Sequence, residues 1–318
     1  DKLDIKGKGK VIIENKTDTI DYKIEQRNNQ YIIDVSLNLI KNDFSIPILN
    51  YKKKKNTDLS IKVDGIYETK KKLTLNKVSI TENKNFFLIE NLKFNEKIKI
   101  LSIDYFEVNF VNENKIKNQL KIKRDDKNYK VNGVTFDIEK LIENINKNND
   151  KSSTIFNNLN TNLKVNISKT FLDKKTFVKN LNGNINFKKN VVHKLNLDSA
   201  FPNEKKLNIT IDINKDNERV TTLYSGHPKP LLNQYKFIKG FEDGVLDFYS
   251  VKKNDVSNSI LKIDNFKIQE VPVLAKLLTL ASLQGIADLL TGEGIRFTDL
   301  EMKFMNDKNS MKIDEMYA

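Results

Sequence analysis

The chain has 318 residues, of which 38% are hydrophobic and 31% are charged, with no Cys, no Trp and a formal net charge of +13. The length allows one large or two ordinary domains, and the lack of Cys excludes disulfides, thiolate zinc sites and thiol nucleophiles. The small apolar fraction favours sheets with one solvated face over a thick globular core.

The positive charge does not indicate a nucleic-acid partner. Of the 55 basic residues only four are Arg, so 51 are Lys. Recognition of phosphates and base edges favours the bidentate fork of Arg. The one dense basic run, Lys52 to Lys55, is predicted to be a solvated loop between strands. Because the chain starts at Asp1 without a nearby signal-peptide pattern, we expect it to be a piece of a longer protein.

Apolar and polar residues alternate with a period of two along much of the chain, which predicts strands with one apolar and one hydrophilic face. Turn clusters at 28–29, 82–85, 125–128, 215–217 and 306–309 separate these strands and predict a long meander of hairpins. The apolar faces are predicted to consist of Tyr31, Ile33, Val35, Leu37 and Leu39; Leu73 and Leu75; Ile98 and Ile100; Leu163, Val165 and Ile167; and Leu207, Ile209, Ile211 and Ile213.

Residues 138–146 depart from this pattern. Ile138, Leu141, Ile142 and Ile145 recur with helical spacing behind Asp137, which is placed as an N-cap, so a short amphipathic helix is predicted. The segment that follows, 147–161, is rich in Asn, Lys and Ser and is predicted to be a linker or mobile loop.

A second helical insertion is predicted at 272–291, a nearly uncharged stretch that starts with Pro272. A membrane span is disfavoured, because Lys276 and Asp288 lie inside the stretch and Gly285 weakens it. The pattern favours one or two helices that pack on a sheet or lie at a membrane surface. The residues expected to pack in this way are Leu274, Leu277, Leu278 and Ile286.

The sequence contains no recognisable motif for a catalytic, metal or cofactor site. His193 lies between strand-like residues and His227 lies in a loop, and neither has a nucleophile or metal ligand at a recognisable spacing. Both are interpreted as surface or edge histidines. The sequence therefore predicts that the chain is not an enzyme and binds no cofactor.

The C-terminal part, from about 219 to 318, resembles the AsmA-like C-terminal region family of YhdP- and TamB-type bacterial envelope proteins. The resemblance is carried by 219–223 (RVTTL), 240–248 (GFEDGVLDF), 263–266 (IDNF), 275–290 (AKLLTLASLQGIADLL) and 292–297 (GEGIRF). It implies a periplasmic protein of Gram-negative bacteria, anchored in the inner membrane. Such proteins are thought to carry phospholipid between the inner and outer membranes along a curled β-sheet groove and to maintain outer-membrane integrity.

The expected fold is therefore mainly β, a long antiparallel curled sheet with helical insertions near 138–146 and 272–291. We expect an N-terminal β-groove segment at 1–146, the linker at 147–161 and an AsmA-like β segment at 162–318. The residues expected to contact acyl chains are Ile209, Ile211, Leu246, Phe248, Leu261 and Ile263.

Three other interpretations stay open at this stage. The same apolar residues could form an ordinary sandwich core. The chain could be a non-catalytic scaffold or assembly factor for outer-membrane biogenesis that carries no lipid. An adhesin-like or polysaccharide-binding domain is disfavoured by the absence of Trp.

Overall fold

The computed structural model describes residues 3–13, 15–69, 72–147, 159–232, 241–268, 294–307 and 310–317. It divides into two compact units. Unit 1 comprises Asp1–Lys175 and Asn186–Val192, and unit 2 comprises Thr176–Ile185 and His193–Ala318. The described residues are mainly β-strand, and nearly all strand pairs are antiparallel, as predicted. The boundary predicted at 147–161 lies mostly outside the described residues and stays a prediction.

The first thirteen strands belong to unit 1. The alternating segments of the sequence form long strands, because one apolar and one hydrophilic face suit a half-solvated sheet. The strands are β1 (Leu3–Ile13), β2 (Lys16–Arg27), β3 (Gln30–Leu39), β4 (Ser45–Ile46), β5 (Tyr51–Lys52), β6 (Leu59–Glu68), β7 (Lys72–Glu82), β8 (Asn85–Asn95), β9 (Ile100–Ser102), β10 (Tyr105–Val111), β11 (Lys117–Asp125), β12 (Asn128–Asp137) and β13 (Thr161–Phe171).

Strands that follow one another in unit 1 pair as hairpins, in the order β1, β2, β3, β6, β7, β8, β10, β11 and β12. β13 then joins β12 in parallel. A parallel pair needs a crossover connection, and the helix α1 (Glu139–Lys147) lies in this one. α1 confirms the short helix predicted near 138–146, and the Asp137 carboxylate accepts the backbone N–H of Glu139 at 3.0 Å, as expected of a cap.

Unit 2 contains a second antiparallel series, in which β15 to β21 pair in chain order. A short helix, α2 (Lys229–Leu232), follows β17 and places Leu232 in the apolar cluster of this unit. The remaining strands are β14 (Phe177–Lys188), β15 (Val191–Ala200), β16 (Lys206–Ile213), β17 (Arg219–Ser225), β18 (Phe241–Lys253), β19 (Val256–Ile268), β20 (Ile295–Asn306) and β21 (Met311–Tyr317).

Asparagine makes several of the hairpin turns. Asn28, Asn83 and Asn217 have φ angles of 54°, 53° and 59°. This left-handed conformation suits tight hairpin turns, and Asn tolerates it because its short polar side chain bonds locally. The turns predicted at 28–29, 82–85, 125–128 and 215–217 are confirmed. The turn predicted at 306–309 extends outside the described residues.

Two expectations about unit 1 are wrong. Ile98, predicted to share a strand face with Ile100, lies in a turn with φ 55° and is exposed, because the chain reverses between β8 and β9. Lys53, predicted to be solvated, is only 4% exposed, and its ammonium donates a hydrogen bond to the carbonyl of Ile40 at 2.9 Å. The loop between β3 and β6 folds back on the sheet there.

That loop is fixed by Tyr51. Its ring packs edge-on against Phe87 and Phe110, with centroids 4.8 and 5.7 Å away. Its hydroxyl donates to the buried Glu82 carboxylate at 2.7 Å, which also accepts the backbone N–H of Lys54 at 2.8 Å. A buried carboxylate is stable there because its oxygens are hydrogen-bonded.

Candidate functional site

The strand registers of unit 1 place apolar side chains in rows that run across the sheet. Residues directly opposite each other on paired strands point to the same face. Two such rows, named the unit 1 apolar rows, run from β2 to β13. Their members are Tyr22, Val35, Val63, Val78, Ile89, Phe106, Ile122, Val131 and Val165, and beside them Ile20, Leu37, Ile61, Ile80, Phe87, Val108, Leu120, Gly133 and Ile167.

The opposite face of the same strands is mainly hydrophilic, although Ile32, Ile66 and Leu88 also lie on it. One row across it, again from β2 to β13, is almost entirely charged, and Tyr105 is its single uncharged member. Along this series of strands, unit 1 therefore has an apolar face and a mainly hydrophilic face, and water is expected on the hydrophilic face. The members of the charged row are Lys23, Asp34, Asp64, Lys77, Glu90, Tyr105, Lys123, Lys130 and Lys164.

Unit 2 repeats this arrangement from β15 to β21. Its central row contains only apolar residues, and a neighbouring row from β16 to β20 is interrupted only by Ser225. Together these are the unit 2 apolar rows. Their members are Leu197, Ile209, Leu223, Phe248, Leu261, Met302 and Met316, and beside them Leu207, Ser225, Leu246, Ile263 and Leu300.

All six residues expected to contact acyl chains lie on this face of unit 2. Ile209, Phe248 and Leu261 belong to the central row, and Leu246 and Ile263 to its neighbour. Ile211, on β16, lies on the other side of the central row. Ile263 is fully buried, whereas Ile209 and Phe248 are half-buried.

Three phenylalanines stack on the apolar face of unit 2. Phe266 lies between Phe241 and Phe297, with centroid distances of 5.2 and 5.0 Å and interplanar angles of 12° and 9°. Phe241 and Phe266 are buried with Leu232 of α2 in one cluster. This aromatic stack lies at one end of the apolar face.

On β17, β18 and β19 the other end of the face is polar, which the alternating pattern did not predict. Thr221, Ser250 and Ser259 form a row of hydroxyls next to the central apolar row. Arg219 and Lys252 lie opposite each other one step further along β17 and β18. These five residues are named the polar margin. The signal was present in the sequence, because Arg219, Thr221 and Leu223 alternate on one face, but β17 also has Val220 and Thr222 on its other face.

The two histidines lie in different settings. His193 lies in β15. His227 is half-buried rather than at the surface, and its ring packs edge-on against Phe201 at 5.2 Å. Burial, together with the charges of Lys205 and Lys229, lowers the pKa of His227. Its surroundings are those of a packed side chain.

The described part of the chain contains no group of three or more His, Asp or Glu side chains able to hold a metal ion. Among the same residues, no helix has the length and apolar character needed to cross a membrane. The predicted helix at 272–291, with Leu274, Leu277, Leu278 and Ile286, lies outside the described residues.

No protein-family model, curated protein or solved structure matches this chain significantly.

Proposed function

We propose that the chain is a segment of a periplasmic, inner-membrane-anchored protein that carries phospholipid between the inner and outer membranes. The observation that supports this function is the continuity of the apolar rows across successive strands. An ordinary core needs apolar contacts, but it does not need every strand of a long meander to contribute to the same row.

The dimensions suit an extended conduit. Neighbouring strands lie about 4.8 Å apart, so the unit 1 apolar rows extend for roughly 40 Å from β2 to β13. Acyl chains would lie against these rows, on the inside of a curled sheet, while the charged face stays in water. Such transport requires no catalytic residue, because the acyl chains exchange one apolar environment for another.

Site-specific photocrosslinking in cells tests the proposal. A photoreactive amino acid replaces Ile211 or Phe248 on the apolar face, and the matched controls are Asp212 and Asp247, the exposed neighbours on the other face. The expected result is phospholipid adducts from Ile211 and Phe248, identified by mass spectrometry, and few or none from the two aspartates.

Two other outcomes would contradict lipid transport. Protein adducts alone from Ile211 and Phe248 would favour a scaffold for outer-membrane biogenesis. An absence of all intermolecular adducts from these two positions, with a normally folded protein, would indicate an ordinary closed core.

A further inference from the structure

The apolar face of unit 2 changes character in one direction along its strands. On β18 the residues of this face run from Phe241 in the aromatic stack through Leu246 and Phe248 to Ser250 and Lys252. On β18 the face is thus apolar from the aromatic stack to Phe248, hydroxylated next and cationic at the far end. An amphiphile with an anionic headgroup would match this order, with its apolar tail on the apolar residues and its headgroup at the cations.

The two cations of the polar margin lack acidic partners. Arg219 and Lys252 are directly paired across β17 and β18, both half-buried, and like charges in that position repel each other. Within the described residues, neither side chain forms an ion pair or hydrogen bond. Burial alone lowers the pKa of Arg219, with no acid to offset it. An arginine nevertheless stays protonated at neutral pH.

Two acids near the margin are occupied elsewhere. Glu218, which precedes Arg219, accepts from Lys253 at 3.2 Å and from the side-chain amide of Asn214 at 3.0 Å. Asp212 on β16 pairs with Lys194 at 2.8 Å. Neither of these two acids therefore neutralises the positive charge of the margin.

Hydroxyl groups adjoin these cations. The Ser259 hydroxyl donates to the Ser250 oxygen at 2.9 Å, which leaves the Ser250 proton available for another acceptor. Both serines are buried, and Thr221 lies beside Ser250 on the neighbouring strand.

We infer that the polar margin binds the phosphate group of a phospholipid whose acyl chains lie on the unit 2 apolar rows. The guanidinium of Arg219 can bind two phosphate oxygens at once, while Lys252 and the Ser250 hydroxyl reach others. A carboxylate has only two oxygens and would leave donors of this group unused. The inference rests on the proposed function, because it takes the apolar rows as the acyl-chain site.

The distances along the strands agree with this placement. At about 3.3 Å per residue, the stretch from Phe248 to Phe241 spans roughly 20 Å. One leaflet of a bilayer core is about 15 Å thick. An acyl chain anchored by its phosphate at the margin therefore fits before the aromatic stack.

Binding measurements on the full chain test the headgroup site. Fluorescent phosphatidic acid, diacylglycerol with the same acyl chains and inorganic phosphate serve as probes. The test variant is Arg219→Gln with Lys252→Gln, and Lys215→Gln, an exposed lysine in the turn between β16 and β17, is the charge control. We expect the double variant to bind phosphatidic acid about tenfold or more weakly and diacylglycerol unchanged. Lys215→Gln should bind both lipids as the unaltered chain does.

Four results would overturn the headgroup assignment. Equal affinity of the unaltered chain for phosphatidic acid and diacylglycerol would contradict this assignment alone, and so would an equal loss with Lys215→Gln. Binding of inorganic phosphate without either lipid would identify a site for free phosphate. Failure of both lipids to bind would count against the proposed function as well. Circular dichroism of each variant verifies that it is folded.

Discussion

Asp18 organises the chain that leaves β3. Its carboxylate accepts the backbone N–H groups of Ile40 and Lys41 at 3.0 Å and that of Asn42 at 2.9 Å. Burial by itself would raise the pKa of Asp18, but these bonds outweigh it and hold the pKa well below its usual value of 3.8. The carboxylate therefore stabilises the fold fully above that value and progressively less as the pH falls below it.

We predict that Asp18→Asn lowers the free energy of unfolding by about 2 kcal/mol at pH 7, the scale of hydrogen bonds to a buried charge. The difference from the unaltered chain should shrink below about pH 4, since Asp18 then loses its charge in the unfolded state and eventually in the folded state. Urea unfolding at a series of pH values measures it. Asp43→Asn, which removes an exposed carboxylate that pairs with Lys16, should have a far smaller effect. A difference that stays constant down to pH 2 would contradict the assigned role.

The sequence predicted the contacts of individual side chains least well. Nothing in the lysine run distinguishes Lys53 from its neighbours, because its burial depends on the carbonyl of Ile40 at the distant end of β3. The same holds for Arg219, whose position opposite Lys252 depends on how β17 pairs with β18. Composition predicts neither contact, since both arise only when separate segments meet.

The aromatic stack is an element that should dominate the stability of unit 2. Phe266 is 2% exposed and contacts a ring on each side. We predict that Phe266→Ala lowers the free energy of unfolding by about 3–5 kcal/mol, because it leaves a cavity and removes both ring contacts. Tyr249→Ala on β18, whose side chain is exposed on the other face, should cost less than about 1 kcal/mol. If the two variants lost the same free energy of unfolding in thermal or urea unfolding, the stack would not be the main source of stability in unit 2.

Strands and the first helix could largely be predicted, and the bulges could not. Alternation and helical spacing predicted β3, β13, β16 and α1. Alternation also places Phe241 and Leu246 on opposite faces, yet both belong to the same buried cluster. The left-handed residues Asp243 and Gly244, with φ 59° and 84°, interrupt the period of two between them. A bulge is set by a local backbone choice that many sequences allow, so the pattern alone does not reveal it.

For the whole molecule, the sequence predicts that the strands have one apolar face, but it does not predict which residues of neighbouring strands lie opposite each other. One-sided strands follow from alternation, and hairpin pairing follows from the spacing of the turns. The parallel step from β12 to β13 does not, because it depends on a crossover that contains α1. The alignment of apolar residues into rows requires every register from β2 to β13 to agree. That agreement is what distinguishes a continuous conduit from a set of separate amphipathic hairpins.

Continuity also makes a prediction about transport. If lipid moves along the unit 1 apolar rows, one charge placed in a row should block the path even though the rest of the face is intact. We predict that Val78→Glu lowers the rate of fluorescent phospholipid transfer between two vesicle populations by about tenfold or more, since a carboxylate among acyl chains is strongly disfavoured. Ser79→Glu adds the same charge to the next residue of β7, on the opposite face, and should leave the rate nearly unchanged. Phospholipid binding at the polar margin of unit 2 should survive in both variants, which separates a blocked path from a lost site. Equal transfer rates for the two variants, with both folded by circular dichroism, would mean that lipid does not travel along this face.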